Sequence, residues 1–197
     1  MKILLATKNQ GKINELQKIL TQFNIEVMSL NDYTIEEPEE TGKTFTENSI
    51  LKARYYGEKL NISAIADDSG LCINELDNFP SIYSARINNG NKDYTNSFNV
   101  LELLLKYKNI TDYSAKFVCS ISFYNNKTKS VNSFEGNVYG KVRFPASGNN
   151  GFGYDPIFVP DGYFKSFAEL TQDEKNKISH RAKALEKFVN WFKDNYK

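Results

Sequence analysis

The sequence predicts an α/β protein in which helices flank a mixed β-sheet. Apolar residues recur at spacings of three and four in several segments, which is typical of amphipathic helices. Apolar and polar residues alternate from Ala115 to Phe123, which is typical of a strand. Because the predicted strands and helices do not alternate strictly, a mixed sheet is favoured over a doubly wound parallel one. No linker, low-complexity tract or repeat interrupts the chain, so residues 1–197 are assigned to a single domain.

The first half of the chain is predicted to begin with a strand, a helix and a second strand. The strands are residues 2–6 and 25–28, and the helix between them has its apolar side at Ile13, Leu16, Leu20 and Phe23. A second helix is expected from about residue 44 to residue 60. Residues 63–66 form a third strand that runs into a turn at Asp67-Asp68-Ser69-Gly70, after which the chain is again extended.

The second half contains two further helices and a hairpin. The third helix has its apolar side at Tyr94, Phe98, Leu101 and Leu105. A strand at residues 115–124 turns at Asn125-Asn126 into a partner strand near residues 131–135. Thr171 with Glu174 forms a capping box. The buried stripe of the last helix is Leu185, Phe188, Phe192 and Tyr196.

The composition excludes several classes of protein. The chain has 25 Lys+Arg against 24 Asp+Glu, so a net charge of +1 gives no support to a role in coating nucleic acid. Two cysteines are too few for a disulfide scaffold. The apolar run at the N-terminus is too short for a signal peptide, and no run approaches ~18 apolar residues. We therefore expect a cytoplasmic protein that binds neither nucleic acid nor membrane.

The segment Thr7-Lys8-Asn9-Gln10-Gly11-Lys12 lies between the first strand and the first helix. Free N–H groups and the positive end of the helix dipole favour an anion there, and two lysines add charge. The segment is therefore a candidate phosphate-binding loop, although an ordinary strand-to-helix turn with an Asn cap has the same pattern. It is not a Walker loop, because Gly11-Lys12 lacks the preceding Gly and the following Ser/Thr.

Asp67 and Asp68 are adjacent carboxylates at the predicted end of a buried strand, where alternation points them to opposite sides of the chain. Two carboxylates so close together favour a nearby cation, and hard oxygen ligands suit Mg²⁺ bound to substrate phosphates. The alternative is a turn in which one Asp accepts hydrogen bonds from backbone N–H groups. The acidic loop at residues 36–40 is either solvated surface or the source of a further metal ligand.

Two later segments are candidates for binding a nucleotide. Gly151-Phe152-Gly153-Tyr154-Asp155-Pro156 combines glycines and aromatic residues with a carboxylate. An exposed ring there would stack on a nucleobase, although Phe is more often part of a core. Lys175, Ser179, His180 and Arg181 place a cation before the last helix and hydrogen-bond donors at its start. His180 is the only histidine of the chain, and Arg181 is one of four arginines.

Six segments carry a resemblance to a known family. They are residues 7–12, Glu40-Thr41-Gly42-Lys43-Thr44-Phe45-Thr46-Glu47-Asn48, Ala66-Asp67-Asp68-Ser69-Gly70-Leu71, Tyr83-Ser84-Ala85-Arg86, residues 151–158, and Phe167-Ala168-Glu169-Leu170 through to Ser179-His180-Arg181. In this order they resemble the signatures of the inosine triphosphate pyrophosphatase family, which hydrolyses non-canonical purine nucleoside triphosphates to the monophosphate and pyrophosphate. The resemblance implies an elongated mixed sheet between two lobes, a nucleotide cleft between the lobes, and a homodimer.

The resemblance also implies roles for particular residues. Asp68 would accept a proton from the attacking water, and Glu40 and Asp68 would hold Mg²⁺. Supporting residues near the metal and phosphates would be Glu47, Asn48, Lys52 and Asp67. The triphosphate would be bound by Thr7, Lys8, Asn9, Gln10, Gly11 and Lys12, and the nucleotide pocket would be lined by Ser69, Phe152, Gly153, Tyr154, Asp155, Lys175, His180 and Arg181. The substrates would be ITP, dITP and XTP, in preference to ATP and GTP.

The chain departs from the family pattern at two places. Lys8 stands where the family commonly has Gly, and residues 80–82 and 87–90 differ from the usual surroundings of the Tyr-Ser-Ala-Arg segment. Other functions therefore stay open. One is a Maf-type pyrophosphatase with a preference for other nucleotides, and another is a nucleotide-binding protein without turnover, in which Lys8 has altered the phosphate loop. A third interpretation makes the aromatic residues a partner-binding surface.

Overall fold

The computed structural model describes residues 2–20, 25–87 and 93–196. Phe23 and residues 88–90, which the sequence analysis singled out, lie outside these ranges. The strands are β1 (Lys2–Leu5), β2 (Glu26–Ser29), β3 (Ala64–Ile73), β4 (Ser114–Tyr124), β5 (Val131–Val142) and β6 (Phe158–Pro160). The helices are α1 (Gln10–Leu20), α2 (Phe45–Leu60), α3 (Thr95–Tyr107), α4 (Gln172–Ile178) and α5 (His180–Asn195). Short 3₁₀ turns connect several of these elements.

The described strands form one mixed sheet in the order β2-β1-β3-β4-β5-β6. β1 pairs in parallel with both β2 and β3, with Leu4 opposite Met28 on one side and Ala64 on the other. β5 and β6 are antiparallel, with Gly140 opposite Pro160. The connection between β4 and β5 is too short for a parallel crossover, so these neighbours form the predicted hairpin. The predicted mixed sheet flanked by helices is confirmed.

Capping side chains fix the helix boundaries. Thr44 precedes α2, and its hydroxyl accepts a hydrogen bond from the N–H of Glu47. The predicted capping box of Thr171 and Glu174 is present at the start of α4. That helix ends at Ile178, and the last helix of the protein is a separate element that begins at His180.

One prediction about the sheet is wrong. The turn expected at Asp67-Asp68-Ser69-Gly70 does not exist, because β3 runs through these residues as one continuous strand of 10 residues. The composition of this segment is typical of a turn, but tertiary contacts override that local preference. Cations from three helices neutralise the two carboxylates within the strand, as described below. Asp67 and Asp68 therefore lie in the middle of a buried strand and not at its end.

The chain divides into two compact units. The first unit is Met1–Asp68, Cys119–Gly136 and Arg181–Lys197, and the second is Ser69–Val118 and Asn137–His180. Each has its own hydrophobic core. The first core includes Ile3, Leu16, Ile65, Ile121 and Phe188. The second includes Leu71, Leu101, Phe117, Phe158 and Phe167. Leu185, Phe188 and Phe192 of the predicted stripe on α5 are buried, and Tyr196 packs against them.

No helix in the described ranges has both the length and the apolar character needed to cross a membrane.

A polar network in the second unit joins the segment after β5 to residues 166–169. The Arg143 guanidinium donates to the Glu169 carboxylate at 2.6 Å and to the Phe164 carbonyl at 2.8 Å. The same Glu169 oxygen accepts from the Ser166 N–H at 2.7 Å, and the Ser166 hydroxyl donates to the Ser147 carbonyl. The Ser166 N–H and the Arg143 guanidinium lower the pKa of Glu169 from 4.5 to about 2.

This network predicts a stability that depends on pH. Because the folded state favours ionised Glu169, its stabilising contribution is present above pH 4.5 and is lost as the pH falls towards about 2. We expect Glu169→Gln to lower the melting temperature at neutral pH, and the difference from wild type to shrink through that acidic range. Thermal unfolding followed by circular dichroism measures both.

The matched control is Glu26→Gln. Glu26 pairs with Lys2 at 3.0 Å, but both side chains are more than 60% exposed, at 62% and 63%. Exposed pairs contribute little to stability, so this variant should melt close to wild type throughout. A difference for Glu169→Gln that stays constant from neutral to acidic pH would contradict the assignment.

Candidate active site

Asp67 is the centre of a buried charge cluster in the first unit. Its Oδ2 atom lies 3.0 Å from Lys12 Nζ and accepts hydrogen bonds at 3.3 Å from both Nε and an Nη of Arg181. Burial alone would raise the pKa of Asp67, but the ammonium of Lys12 and the guanidinium of Arg181 outweigh it and hold that pKa well below its usual value. Asp67 therefore stays ionised and holds together cations from α1 and α5.

Asp68 has different partners, as strand alternation predicts. Its Oδ2 accepts a hydrogen bond from the Asn48 amide at 3.1 Å, and its Oδ1 lies 3.6 Å from Lys52 Nζ. Burial raises the pKa of Asp68, and the opposing charges of Lys52 and Lys12 do not fully offset it. A carboxylate with a raised pKa is a better proton acceptor than an ordinary aspartate.

Lys52 joins Asp68 to Glu40. Its Nζ lies 2.7 Å from Glu40 Oε1, and its side chain is 14% exposed. Burial acts to lower the pKa of Lys52, but Asp68 and Glu40 outweigh this effect, so the pKa is raised and the ammonium stays charged. Two carboxylates and one cation thus form a compact group beside Asp67.

The loop that carries Glu40 is tied to α2 through Gly42. The Gly42 N–H donates to Asn48 Oδ1 at 2.8 Å, and a Cβ built on Gly42 would lie 2.5 Å from that oxygen. A larger residue at this position would therefore collide with Asn48. Glu47 accepts a hydrogen bond from the Lys43 N–H at 2.6 Å, so its carboxylate helps to cap the N-terminus of α2. Asn48 connects this loop to Asp68, while Glu47 has a capping contact.

Most side chains of the 7–12 segment make local hydrogen bonds. Asn9 Oδ1 accepts from the Lys12 N–H at 3.2 Å and so caps α1, while the Thr7 hydroxyl accepts from the Asn9 N–H. The Gln10 amide donates to Asn14 on α1. Lys8, which stands in place of the family's usual Gly, pairs with Glu37 of the acidic loop at 3.3 Å. Gly11 is half-buried in the first turn of α1. The Lys12 side chain is the part of this segment that reaches Asp67.

The second unit contains a separate buried ion pair. Lys175 Nζ lies 2.8 Å from Asp155 Oδ2, and both side chains are at most 3% exposed. The same oxygen accepts from the Phe152 N–H at 2.8 Å. Gly151 has a φ of +76°, and a Cβ there would lie 2.1 Å from this carboxylate. The turn therefore requires Gly at this position, since the backbone is left-handed and there is no room for a side chain.

Two aromatic rings lie near the ammonium group of this pair, and a stacked pair of rings lies in the same unit. Lys175 Nζ lies 4.7 Å from the centre of the Phe152 ring and 5.9 Å from that of Phe167. The His180 ring stacks on Phe117, with centroids 4.7 Å apart and planes 10° apart. Phe152 is 36% exposed, so part of its ring faces solvent.

The remaining predicted site residues lie in a core, in a turn or within a strand. Tyr154 is buried in the second core, its hydroxyl donates to the Ser84 carbonyl at 2.9 Å, and burial raises its pKa to about 12. Gly153 precedes it with a φ of +64°. Ser69 is half-buried in β3, directly after Asp68.

The structure thus brings one group of predicted residues together in the first unit and another in the second. The first group is Lys12, Glu40, Asn48, Lys52, Asp67, Asp68 and Arg181. The second is Phe152, Asp155 and Lys175. Sequence reasoning gave no role to Phe117, which supports the His180 ring. Alternation along β4 placed Phe117 in a core, but no pattern in the sequence could have identified its partner.

Among the described residues, no group of three or more His, Cys, Asp or Glu side chains is arranged to hold a metal ion. The carboxylates of Glu40 and Asp68 both already contact one cation, the Lys52 ammonium. A divalent ion at this pair would therefore need further ligands from water or from a bound substrate, which is how Mg²⁺ is commonly held.

An α/β fold in which lysines from α1 and α2 meet buried carboxylates on the central strand β3 defines a protein with a charged site suited to anionic ligands. The chain belongs to the Ham1 family, whose model matches residues 3–191.

Named relatives match nearly the full chain. It is 45% identical to the dITP/XTP pyrophosphatase of Aquifex aeolicus over an alignment of 205 positions, and that alignment covers 98% of each protein. It is 46% identical over 187 residues to the dITP/XTP pyrophosphatase of Haemophilus influenzae, which covers 93% of this chain and 95% of that relative. Among solved structures, a HAM1 protein from Coxiella burnetii is 35% identical, covers 98% of this chain and 99% of its own, and superposes with a TM-score of 0.87.

The charge cluster predicts a large stability cost when its central anion is removed. Asp67→Asn would leave Lys12 and Arg181 without their buried counter-charge, and breaking a buried pair in this way costs about 3–5 kcal/mol. We expect urea unfolding at neutral pH to show that loss. Asp32→Asn, the same change at an exposed carboxylate of the same unit, should stay within about 0.5 kcal/mol of wild type. Equal effects of the two substitutions would refute the central position of Asp67.

Proposed function

We propose that this chain hydrolyses non-canonical purine nucleoside triphosphates, namely dITP, XTP and ITP, to the monophosphate and pyrophosphate. The observation that carries the proposal is the cluster on β3, in which Lys12, Lys52 and Arg181 meet two adjacent carboxylates. The proposal is supported by the relatives named dITP/XTP pyrophosphatase, which match nearly the whole chain.

The triphosphate is assigned to the first unit. A triphosphate carries several negative charges, and breaking the bond between its α- and β-phosphates adds charge to the leaving pyrophosphate. Fixed cations compensate that charge without reorganising. Lys12 is anchored by Asp67, so its ammonium group is held in place before substrate arrives, and Lys52 adds a second cation to the same cluster. The start of α1, with no acidic residue in its first turn, adds backbone N–H donors.

Glu40 and Asp68 are the residues that would hold Mg²⁺. Their fit to a cation is supported by the position of Lys52, whose ammonium lies against both carboxylates. Two carboxylates suffice for Mg²⁺ when substrate phosphates and waters complete its coordination. When bound, Mg²⁺ supplies charge compensation on phosphate oxygens and polarises water.

Asp68 is assigned as the proton acceptor. Water attacks phosphorus, its proton passes to an oxygen of Asp68, and the bond to the pyrophosphate oxygen breaks. Burial raises the pKa of the Asp68 carboxyl, and a more basic carboxylate accepts a proton more readily. Asn48 donates to Asp68 Oδ2 and so fixes the orientation of the carboxylate.

The purine base is assigned to the second unit. Phe152, with its partly exposed ring held by Asp155 and Lys175, offers a stacking surface. Hypoxanthine and xanthine accept a hydrogen bond at the 6-position, where adenine donates one. A donor from His180 or a backbone N–H of the second unit facing that position would be left unpaired by ATP, at a cost of about 1–3 kcal/mol. Rejection of GTP requires discrimination at the 2-position. The homodimer implied by the sequence resemblance stays a prediction.

A panel of nucleotides tests the substrate class. We expect pyrophosphate release from dITP, XTP and ITP with kcat/KM at least ~100-fold above that for ATP and GTP, and no release when EDTA removes the metal. The assay scores both products for each nucleotide. Comparable rates on all five would contradict the proposed selectivity, faster turnover of pyrimidine nucleotides would favour a Maf-type activity, and binding without product would indicate a sensor.

Replacing the proton acceptor tests the chemistry. Asp68→Asn keeps the shape of the side chain but removes its basicity, so kcat on dITP should fall by at least ~100-fold. Nucleotide binding, measured by isothermal titration calorimetry, should change much less than kcat. The variant removes a negative charge near the phosphates, and this change does not itself weaken the binding of an anion. Asp32→Asn serves again as the exposed control and should retain full turnover. Unchanged kcat in Asp68→Asn would remove this residue from the mechanism.

A further inference from the structure

Lys52 lies where a cation would lie between the two proposed metal ligands. Its Nζ is 2.7 Å from Glu40 Oε1 and 3.6 Å from Asp68 Oδ1. The three side chains are only 10–27% exposed, so water screens these charges weakly. The inference below rests on the proposed function, because it concerns the order in which metal and substrate reach this pair.

Asn48 and Lys52 act on Asp68 from one helix. They stand four residues apart on α2, so they share a face of the helix. Asn48 donates to one oxygen of Asp68 and Lys52 lies near the other, so α2 engages both oxygens. Asn48 also accepts from the Gly42 N–H and thereby fixes the loop that carries Glu40. The carboxylate pair is therefore preorganised by protein groups without a metal.

The pair is a poor metal site on its own. No described group of three or more carboxylate, imidazole or thiolate side chains is arranged to hold a metal ion, and Mg²⁺ gives up its waters reluctantly. The Lys52 ammonium already neutralises part of the charge that would attract a divalent ion. An incoming triphosphate changes this balance, because its oxygens offer Lys52 a new anionic partner and offer the metal further ligands.

We propose that Lys52 is a positioning residue that occupies the carboxylate pair in the free protein and keeps the metal from binding before the nucleotide. Lys52 moves its ammonium to a phosphate oxygen when the triphosphate binds, and Glu40 and Asp68 become available to the metal. Metal and nucleotide therefore bind with positive coupling. The free protein does not bind a divalent ion until the nucleotide is present.

Binding of Mn²⁺ to the nucleotide-free protein tests this proposal. Mn²⁺ prefers the same oxygen ligands as Mg²⁺, and its free concentration is measured by electron paramagnetic resonance. Lys52→Met removes the charge and keeps an unbranched side chain, so we expect Mn²⁺ to bind at least ~10-fold more tightly than to wild type. Lys52→Arg keeps the charge and should bind as weakly as wild type.

Lys59→Met is the matched control. Lys59 lies on the same helix, and its ammonium donates to the Tyr55 hydroxyl at 2.9 Å. Removing it should leave Mn²⁺ affinity unchanged. Mn²⁺ binding to Lys52→Met that is no tighter than to wild type would overturn the proposal, as would an equal gain in Lys59→Met.

A second measurement uses the wild-type protein and does not depend on the stability of any variant. A dITP analogue with a methylene group between the α- and β-phosphates binds without being hydrolysed. We expect the complex of wild type with the analogue to bind Mn²⁺ at least ~10-fold more tightly than the analogue alone binds it in solution. Wild type that binds Mn²⁺ as tightly without the analogue as with it would refute the proposal. Pyrophosphate release by wild type is scored separately, so failure of the coupling and failure of the proposed function are distinguishable.

Discussion

The buried carboxylates of β3 impose the constraint on which the rest of the first unit depends. Moving an ionised carboxylate out of water costs several kcal/mol unless a partner repays it. Asp67 and Asp68 are adjacent in a strand whose interior is almost entirely buried. Lys12 from α1, Lys52 from α2 and Arg181 from α5 supply the compensating charge. Three helices are thereby held against one strand by charges that also suit a triphosphate.

The second unit uses the same kind of interaction for a different purpose. Asp155 and Lys175 form a buried pair, and Asp155 also accepts from the backbone of Phe152. The ion pair thus holds a partly exposed aromatic ring at a fixed place in a left-handed turn. The chain crosses between the two units four times, after Asp68, Val118, Gly136 and His180. Two of these crossings lie at residues of the candidate site, between Asp68 and Ser69 and between His180 and Arg181.

The sequence predicts features that depend on local pattern and fails where tertiary contacts decide. Alternation identified β4, and the spacing of Thr171 and Glu174 identified the start of α4. The segment at Asp67 to Gly70 was wrongly predicted as a turn, because its composition favours one and the cations that hold it extended come from distant residues. The contact of Lys8 with Glu37 and the stacking of His180 on Phe117 were not predictable either, since sequence gives burial but not partners. The candidate site residues were predicted from six segments that resemble the family signatures and follow one another in the same order.

The central claim is that the cluster on β3 binds the triphosphate of the substrate. A crystal structure of the Asp68→Asn variant with dITP and Mg²⁺ tests it most directly, because slow turnover would preserve the bound nucleotide. The account predicts phosphate oxygens within hydrogen-bond distance of the ammonium groups of Lys12 and Lys52. A triphosphate bound elsewhere on the protein, with both lysines still paired as in the free molecule, would contradict it.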